Sequence, residues 1–214
     1  SRGLGDVYKR QEYTEAVDTV FRELEVHKVR LLNEDQLNDE QKEFLTQFFY
    51  DKLNGSVNPI WLNEIDDLST LEDNRIYLAV EKAEDDKKKK YAVVKVPDRV
   101  YGRWVKVPAS EGFDNIMYLD DVIRYCLPLV FLGFKESTYR AFSFKFTKDA
   151  EMEMDNDADF GTMEKIALGV NSRKKGEAVR VIYDQEMPKE LQKKLRERLN
   201  TCLLYTSPSP RDKR

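Results

Sequence analysis

The sequence predicts an α+β fold: a mixed, largely antiparallel sheet with packed helices, preceded by a truncated helix. Short strand-like segments follow one another across residues 57–108, and a long alternating strand begins after Ser137. Segments with helical spacing stand before, between and after these strands. They do not alternate strictly with the strands, which favours an α+β fold over a parallel α/β fold.

The first predicted helix runs from Tyr13 to Val29 and is interpreted as the end of a longer helix. Its apolar residues recur at helical spacing: Val17, Val20, Phe21, Leu24 and, less regularly, Val26.

The second predicted helix begins at Asn38, which can cap it, with Gln41 three residues later at the spacing of a capping box. The dipeptide Asn54-Gly55 is expected to end this helix. Its core face is predicted to consist of Leu45, Phe48, Phe49 and Leu53.

Strand-like segments come next, at residues 57–62, 75–82, 91–97 and 103–108. The lysine-rich segment 83–90 joins the second and third of these strands. We interpret it as a solvated hairpin loop, because blocks of like charge repel one another and stay in water.

A further helix is predicted over residues 118–131, where Pro128 indicates a kink or an early stop. Its apolar stripe consists of Leu119, Val122, Ile123, Cys126 and Val130. We expect Cys126 to be an inert core thiol, because it lies on this apolar face.

The strand after Ser137 places Phe142, Phe144 and Phe146 on one face. Lys148 interrupts that face, which predicts a bulge or a strand end there. The alternation continues into a row of acidic residues, and carboxylates two apart on a strand stand roughly 6 to 7 Å apart. The acidic row consists of Asp149, Glu151, Glu153 and Asp155. These carboxylates can bind a divalent ion together or form a strand face exposed to solvent, and the sequence leaves both interpretations open.

The remaining predicted elements are a helix around residues 158–171, a strand at 178–183 and a last helix from Pro188 to Leu199. With these elements, helices and hairpin-linked strands are interleaved along the predicted chain, and the predicted fold class depends on this order.

The two ends of the chain are related to each other as DNA. With allowed codons, residues 1–11 and residues 202–212 back-translate into antisense copies of one another, and the shared DNA resembles a transposase adapter used in sequencing libraries. We therefore predict that residues 1–11 and 202–214 are adapter artefacts and exclude them from reasoning about the fold.

The remaining chain is acidic. Each end carries three basic residues and one acidic residue, so removing both ends takes the formal charge from −4 to −8. This balance argues against non-specific nucleic-acid binding, which depends on many Lys and Arg residues. Without the ends only Cys126 is left, which precludes an internal disulfide and favours a reducing, cytoplasmic setting. No apolar run reaches the roughly 18 residues of a membrane span.

Few residues are candidates for chemistry. His27 is the sole histidine, and no cysteine or carboxylate stands beside it at metal-ligand spacing. The sequence contains no glycine-rich phosphate loop, nucleophile elbow or kinase signature. We therefore predict no catalytic, cofactor-binding or metal-binding residue in this chain.

Basic residues can bind an anion, because guanidinium groups hold phosphate oxygens in a bidentate manner. The alternative to anion binding is that these residues belong to a lysine-rich turn on the surface. The candidate anion contacts are Lys148, Arg173, Lys174 and Arg180.

Several collinear blocks resemble the bacterial polyphosphate kinase family of the phosphohistidine type. The most specific is T-K-D-A-E at 147–151, followed by R-x-x-G-x-x-V-R at 173–180. That family usually has Arg where this chain has Lys148, a change that keeps the charge but loses bidentate geometry. The matching blocks in full are residues 31–41, 77–80, 91–97, 118–131, 142–155 and 171–195.

The resemblance implies that residues 12–30 are the end of an N-terminal helical domain and residues 31–201 most of a head or middle domain. Family members reversibly transfer the terminal phosphate of ATP to inorganic polyphosphate, with Mg²⁺ and a phosphorylated histidine. These catalytic parts would lie outside this chain, and His27 does not match the family's motif. The chain alone is therefore expected to be inactive and to bind no cofactor.

The implied role of this part is non-catalytic: it supports the polyphosphate tunnel and dimer contacts of a cytoplasmic homo-oligomer. Its implied partners are inorganic polyphosphate and the catalytic C-terminal domains of its own chain, with no nucleic acid. The alternative from a different class is a stand-alone anion-binding or protein-interaction module without enzymatic activity.

Overall fold

The computed structural model describes residues 15–68, 70–85, 88–132, 137–148, 178–200 and 204–207. They belong to two compact units: the first takes in the described parts of 1–57 and 97–134, and the second those of 58–96 and 135–207. Helices occur together with two sheets, each combining antiparallel pairs with one parallel pair. This confirms the predicted α+β class.

The described helices are α1 (15–26), α2 (Asp39–Phe48), α3 (Asp98–Tyr101), α4 (Leu119–Tyr125), α5 (Leu127–Val130) and α6 (Lys189–Leu199). The described strands are β1 (Val29–Leu32), β2 (Pro59–Trp61), β3 (Ile76–Asp85), β4 (Lys88–Lys95), β5 (Trp104–Ser110), β6 (Phe113–Tyr118), β7 (Thr138–Lys148), β8 (Ala178–Asp184) and β9 (Leu204–Ser207).

The first unit contains a sheet in the order β1-β6-β5, with β1 parallel to β6. The prediction that the first helix reaches Val29 is wrong at that end. Lys28 adopts φ 57° and turns the chain out of α1, and its carbonyl accepts a hydrogen bond from the Asp114 N–H at 2.8 Å. Val29 therefore begins β1. The sequence predicted neither β1, whose first residue continues the spacing of a helix, nor its partner β6.

The capping box of α2 is confirmed. The Asn38 side chain accepts a hydrogen bond from the Gln41 N–H at 2.9 Å, and the Gln41 side chain accepts one from the Asn38 N–H at 3.1 Å. The helix continues beyond Phe48 as one π-helical turn, Phe49–Leu53, which the sequence did not predict. It ends at Asn54-Gly55 as expected, where Gly55 takes φ 86°.

The predicted break at Pro128 is also confirmed. Cys126 separates α4 from α5, and Pro128 lies in the first turn of α5, where a missing N–H removes no helical hydrogen bond. Cys126 itself is buried, and burial raises the pKa of its thiol to about 12. The thiol is therefore inert, as expected.

The second unit contains a sheet in the order β2-β4-β3-β7-β8-β9. The aromatic face of β7 is buried as predicted, with the Tyr77 ring 5.5 Å from that of Phe144 and 5.6 Å from that of Phe146. Apolar residues of α6 belong to the same core cluster: Leu191, Leu195 and Leu199.

The lysine-rich segment belongs to the predicted hairpin. The prediction that residues 83–90 form a loop is wrong for 83–85 and 88–90, which lie in β3 and β4. Ala83 pairs with Lys89, and Asp85 with Lys88, so the strands run almost to the turn. Lys89 and Lys90 are exposed, and the Lys89 ammonium lies 3.4 Å from the Glu81 carboxylate. A strand with one face exposed to solvent accommodates these lysines as well as a loop does.

Some predictions lie outside the described residues: the helix around 158–171, the acidic row and the basic residues Arg173 and Lys174. The origin of the chain ends also stays a prediction. Within the C-terminal end, β9 pairs with β8 in parallel.

Candidate anion-binding site

Basic residues meet at one end of the second unit's sheet. Because β4, β3, β7 and β8 are successively antiparallel, β4 and β7 end where β3 and β8 begin. We call this place the basic sheet end, and it consists of Lys95, Arg75, Lys148 and Arg180.

Lys148 is the last residue of β7, and the pairing with β8 shifts register between Thr147 and Lys148. The sequence predicted such an irregularity here. Alternation places Lys148 on the face of Phe146, and only 5% of the residue is exposed. Burial lowers the pKa of Lys148, and the nearby carboxylates of Asp73 and Asp67 offset only part of that effect.

The turn before β3 holds one of these carboxylates beside Lys148. The N–H of Asn74 donates to the Phe146 carbonyl at 2.9 Å, which ties the turn to the end of β7. The Tyr77 hydroxyl donates to the Glu72 carbonyl at 2.8 Å. Asp73 lies between these two attachments, so its position relative to Lys148 follows from the backbone.

Glu72 forms ion pairs with two further cations of the basic sheet end, Lys95 and Arg75. Its carboxylate lies 2.5 Å from the Lys95 ammonium and 3.2 Å from the Arg75 guanidinium. The hydrogen bond from Lys95 contributes most to lowering the pKa of Glu72. Arg75 is only 6% exposed. Lys95 and Arg75 are therefore already engaged within the protein.

Arg180 lies on the opposite face of the sheet from Lys148. It is exposed and pairs in register with Thr147, while its neighbour Val181 pairs with Phe146 and is buried. Because cross-strand partners share a face, Arg180 and Thr147 point away from the aromatic core. The structure thus brings Lys148 and Arg180 to one sheet end but not to one face.

The hairpin lysines lie at the other end of the same strands, since β4 begins at Lys88 and ends at Lys95. His27 is exposed in the turn after α1. Among the residues that the structure describes, no group of three or more His, Cys, Asp and Glu side chains could hold a metal ion. No described helix is long and apolar enough to cross a membrane.

Sequence reasoning missed a buried ionic cluster in the first unit. The Arg124 guanidinium lies 2.6 Å from the Asp121 carboxylate and 3.2 Å from that of Asp120. Arg103 lies 2.8 Å from Asp120 on its other side. The three- and four-residue spacing within α4 was the available signal, because such pairs share a helix face. We call these four residues the α4 ionic cluster.

The fold is that of an α+β domain in which four basic residues lie at one end of the second unit's sheet. A family model described as the polyphosphate kinase middle domain matches residues 40–203. A polyphosphate kinase of Vibrio parahaemolyticus is 33% identical over 185 residues, and one of Escherichia coli K12 is 32% identical over 216 residues. These alignments cover 85% and 97% of this chain. The chain belongs to the polyphosphate kinase family.

The chain spans 26% and 31% of the length of these two relatives. A crystal structure of polyphosphate kinase from Porphyromonas gingivalis has a similar fold, with a TM-score of 0.65 and 22% identity. That similarity covers 99% of this chain and 30% of the solved chain. The relatives are therefore much longer proteins, of which this chain matches one part.

Proposed function

We propose that this chain is the non-catalytic head domain of a polyphosphate kinase, the enzyme that reversibly transfers the terminal phosphate of ATP to inorganic polyphosphate. The parent enzyme would be a cytoplasmic homo-oligomer, and this part would support its polyphosphate tunnel and dimer contacts. The match of residues 40–203 to the middle domain of the family supports this assignment.

The proposed ligand of this part is polyphosphate, contacted by Lys148, Arg173, Lys174 and Arg180. Phosphoryl transfer depends mainly on positioning and on stabilising negative charge. An enzyme that handles a long polyanion therefore needs basic residues along the path of that polyanion, and an acidic exterior elsewhere is compatible with this requirement.

One observation supports the binding part of the proposal: Lys148 is buried at the end of β7, and burial lowers its pKa more than the carboxylates of Asp73 and Asp67 raise it. Folding therefore disfavours the charged form of Lys148 relative to a lysine in water. A phosphate group at this point would supply negative charge and return the pKa towards the ordinary value of a lysine.

ATP, Mg²⁺ and the phosphorylated histidine are proposed only for the parent enzyme. Among the described residues, no group of three or more His, Cys, Asp and Glu side chains could hold a metal ion, and the acidic row lies outside these residues. The exposed His27 stands after α1 without any such cluster around it. We derive no catalytic step from this chain.

Incubation of the purified chain with γ-labelled ATP, Mg²⁺ and polyphosphate tests the catalytic part of the proposal. We expect label to appear neither on the protein nor on polyphosphate. Label on the protein that disappears in His27→Ala would show that the chain has a phosphohistidine of its own.

Polyphosphate affinity against salt concentration tests the binding part. Each phosphate contact that is lost should make the affinity less steeply dependent on salt, by analogy with counterion release at nucleic acids. We expect Arg173→Ala with Arg180→Ala to reduce affinity and slope. Changing Lys87, Lys88, Lys89 and Lys90 to Ser should leave both almost unchanged. The reverse pattern would place the site at the hairpin.

A further inference from the structure

The face of the sheet that carries Arg180 contains a second cation. Along β7, Lys145 and Thr147 alternate with the buried phenylalanines and so point to the face opposite Lys148. Lys145 is exposed and pairs in register with Ile182, two residues after Arg180. Lys145 and Arg180 are therefore diagonal neighbours, at a spacing of about 7–8 Å.

Lys145 differs from several other strand lysines of the same unit. Lys82, Lys89 and Lys95 each lie within 3.4 Å of a glutamate oxygen. Within the described part of the chain, the Lys145 side chain takes part in no ion pair and no hydrogen bond. Its charge is therefore available to a ligand, whereas the charges of the other three are engaged.

Thr147 lies next to both cations on this face, directly across from Arg180 and two residues after Lys145 on β7. As the cross-strand partner of Arg180, its side chain lies about 4.5–5.5 Å from that of Arg180 when measured between Cβ atoms. A guanidinium holds two phosphate oxygens at once, an ammonium acts as a point charge, and a hydroxyl donates one hydrogen bond. Such a set suits neighbouring phosphate groups of a polyanion.

We propose that Lys145, Thr147 and Arg180 form a phosphate-binding patch on the sheet face opposite Lys148. The proposal rests on the proposed function in taking polyphosphate as the anion, and it adds Lys145 and Thr147 to the contacts. Lys145, rather than Lys148, is then the lysine that acts together with Arg180. Polyphosphate at this sheet end meets Arg180 and Lys145 on one face.

The test measures binding of fluorescently labelled polyphosphate to the full chain over a series of salt concentrations. Lys145→Gln removes the charge and keeps an exposed polar residue on the strand. Lys193→Gln on α6 is the matched control, because Lys193 is an exposed lysine whose side chain is 77% accessible. Lys145→Arg restores the charge, and thermal unfolding checks that every variant is folded.

We expect Lys145→Gln to weaken binding about 3- to 10-fold and to reduce the salt slope by about one, as for the loss of one phosphate contact. Lys145→Arg should bind like the unchanged chain, and Lys193→Gln should alter neither quantity. Arg180→Gln should weaken binding at least as much as Lys145→Gln.

If Lys145→Gln behaves like Lys193→Gln while Arg180→Gln weakens binding, the patch is wrong but the proposed function stands. If Arg180→Gln also binds like the unchanged chain, or the unchanged chain does not bind polyphosphate, both fail.

Discussion

The α4 ionic cluster and the basic sheet end both bury charge, but with opposite results. In α4, burial alone would raise the pKa of Asp120, yet the guanidinium groups of Arg124 and Arg103 outweigh it and hold the pKa below its ordinary value. At the sheet end, burial lowers the pKa of Lys148, and the carboxylates of Asp73 and Asp67 offset only part of that effect.

The two sites differ in where their counter-charges lie along the chain. Arg124 contacts two carboxylates from its own helix at 3.2 Å or less. Asp73 and Asp67 act on Lys148 from the chain before β3. Breaking a buried ion pair destabilises a fold, whereas an anion next to a buried ammonium stabilises its charged form. We infer a structural role for the first and a binding role for the second.

The largest expected effect comes from removing Arg124. Arg124→Ala removes the cation that contacts both Asp120 and Asp121 and leaves these carboxylates buried, which should lower the free energy of unfolding by about 3–5 kcal/mol. Urea unfolding of the first unit measures this loss. Lys106→Ala is the matched control, because it breaks an exposed pair with Asp114 and should cost less than about 1 kcal/mol. Equal losses in the two variants would contradict a structural role for the cluster.

Acid should affect the α4 ionic cluster next. Since the pKa of Asp120 is lowered by folding, its contribution to stability is fully present above about pH 3.9, the ordinary value for Asp. It is lost as the pH falls through the lowered value. Unfolding free energies measured from pH 5 downwards should therefore decrease less steeply in Asp120→Asn. An identical pH profile in the variant would show that Asp120 does not carry this dependence.

A smaller effect, of opposite sign, is expected at Lys148. Its protonated form is disfavoured in the folded state, so it lowers stability at neutral pH, and this penalty disappears as the pH rises towards about 10.4. Lys148→Met should raise the free energy of unfolding at pH 7 by about 0.5–2 kcal/mol while weakening polyphosphate binding. Lys145→Met, on the exposed face, should not stabilise. A destabilised Lys148→Met would mean that the lysine is fully compensated.

The smallest effect should follow from deleting residues 202–214. We expect the free energy of unfolding to change by less than about 0.5 kcal/mol, because β9 is a short strand at the sheet edge. Thermal unfolding of the shortened chain measures the change. A loss of cooperative folding would show that β9 is an integral part of the sheet and would contradict the adapter hypothesis.

Elements with a local signal could be predicted from the sequence. The capping box at Asn38, the break at Pro128 and the aromatic face of β7 each depend on residues close together in the chain. β1 and β6 were missed because their pairing joins residues far apart, for example Leu31 with Ile116. The apolar residues before β1 had the spacing of a helix and gave no sign of such a partner.

For the candidate site, the sequence indicated the sheet end but not the faces. Lys148 was singled out because it interrupts an apolar alternation, and the structure confirms the irregularity there. The register that pairs Arg180 with Thr147 depends on a shift between strands, which no local pattern encodes. The alternation of β7 places Lys145 on its polar face, but it gives no sign that Lys145 neighbours Arg180.

Proton uptake during polyphosphate binding tests the role of Lys148 most directly. Calorimetric titrations in buffers of different ionisation enthalpy, at several values between about pH 7 and 10, give the number of protons bound. If an anion compensates the buried ammonium, the pKa of Lys148 rises on binding. The unchanged chain then takes up protons at a pH below the ordinary lysine value, and Lys148→Met takes up measurably fewer. Equal uptake by the two proteins would contradict the assignment of Lys148 to the polyphosphate site.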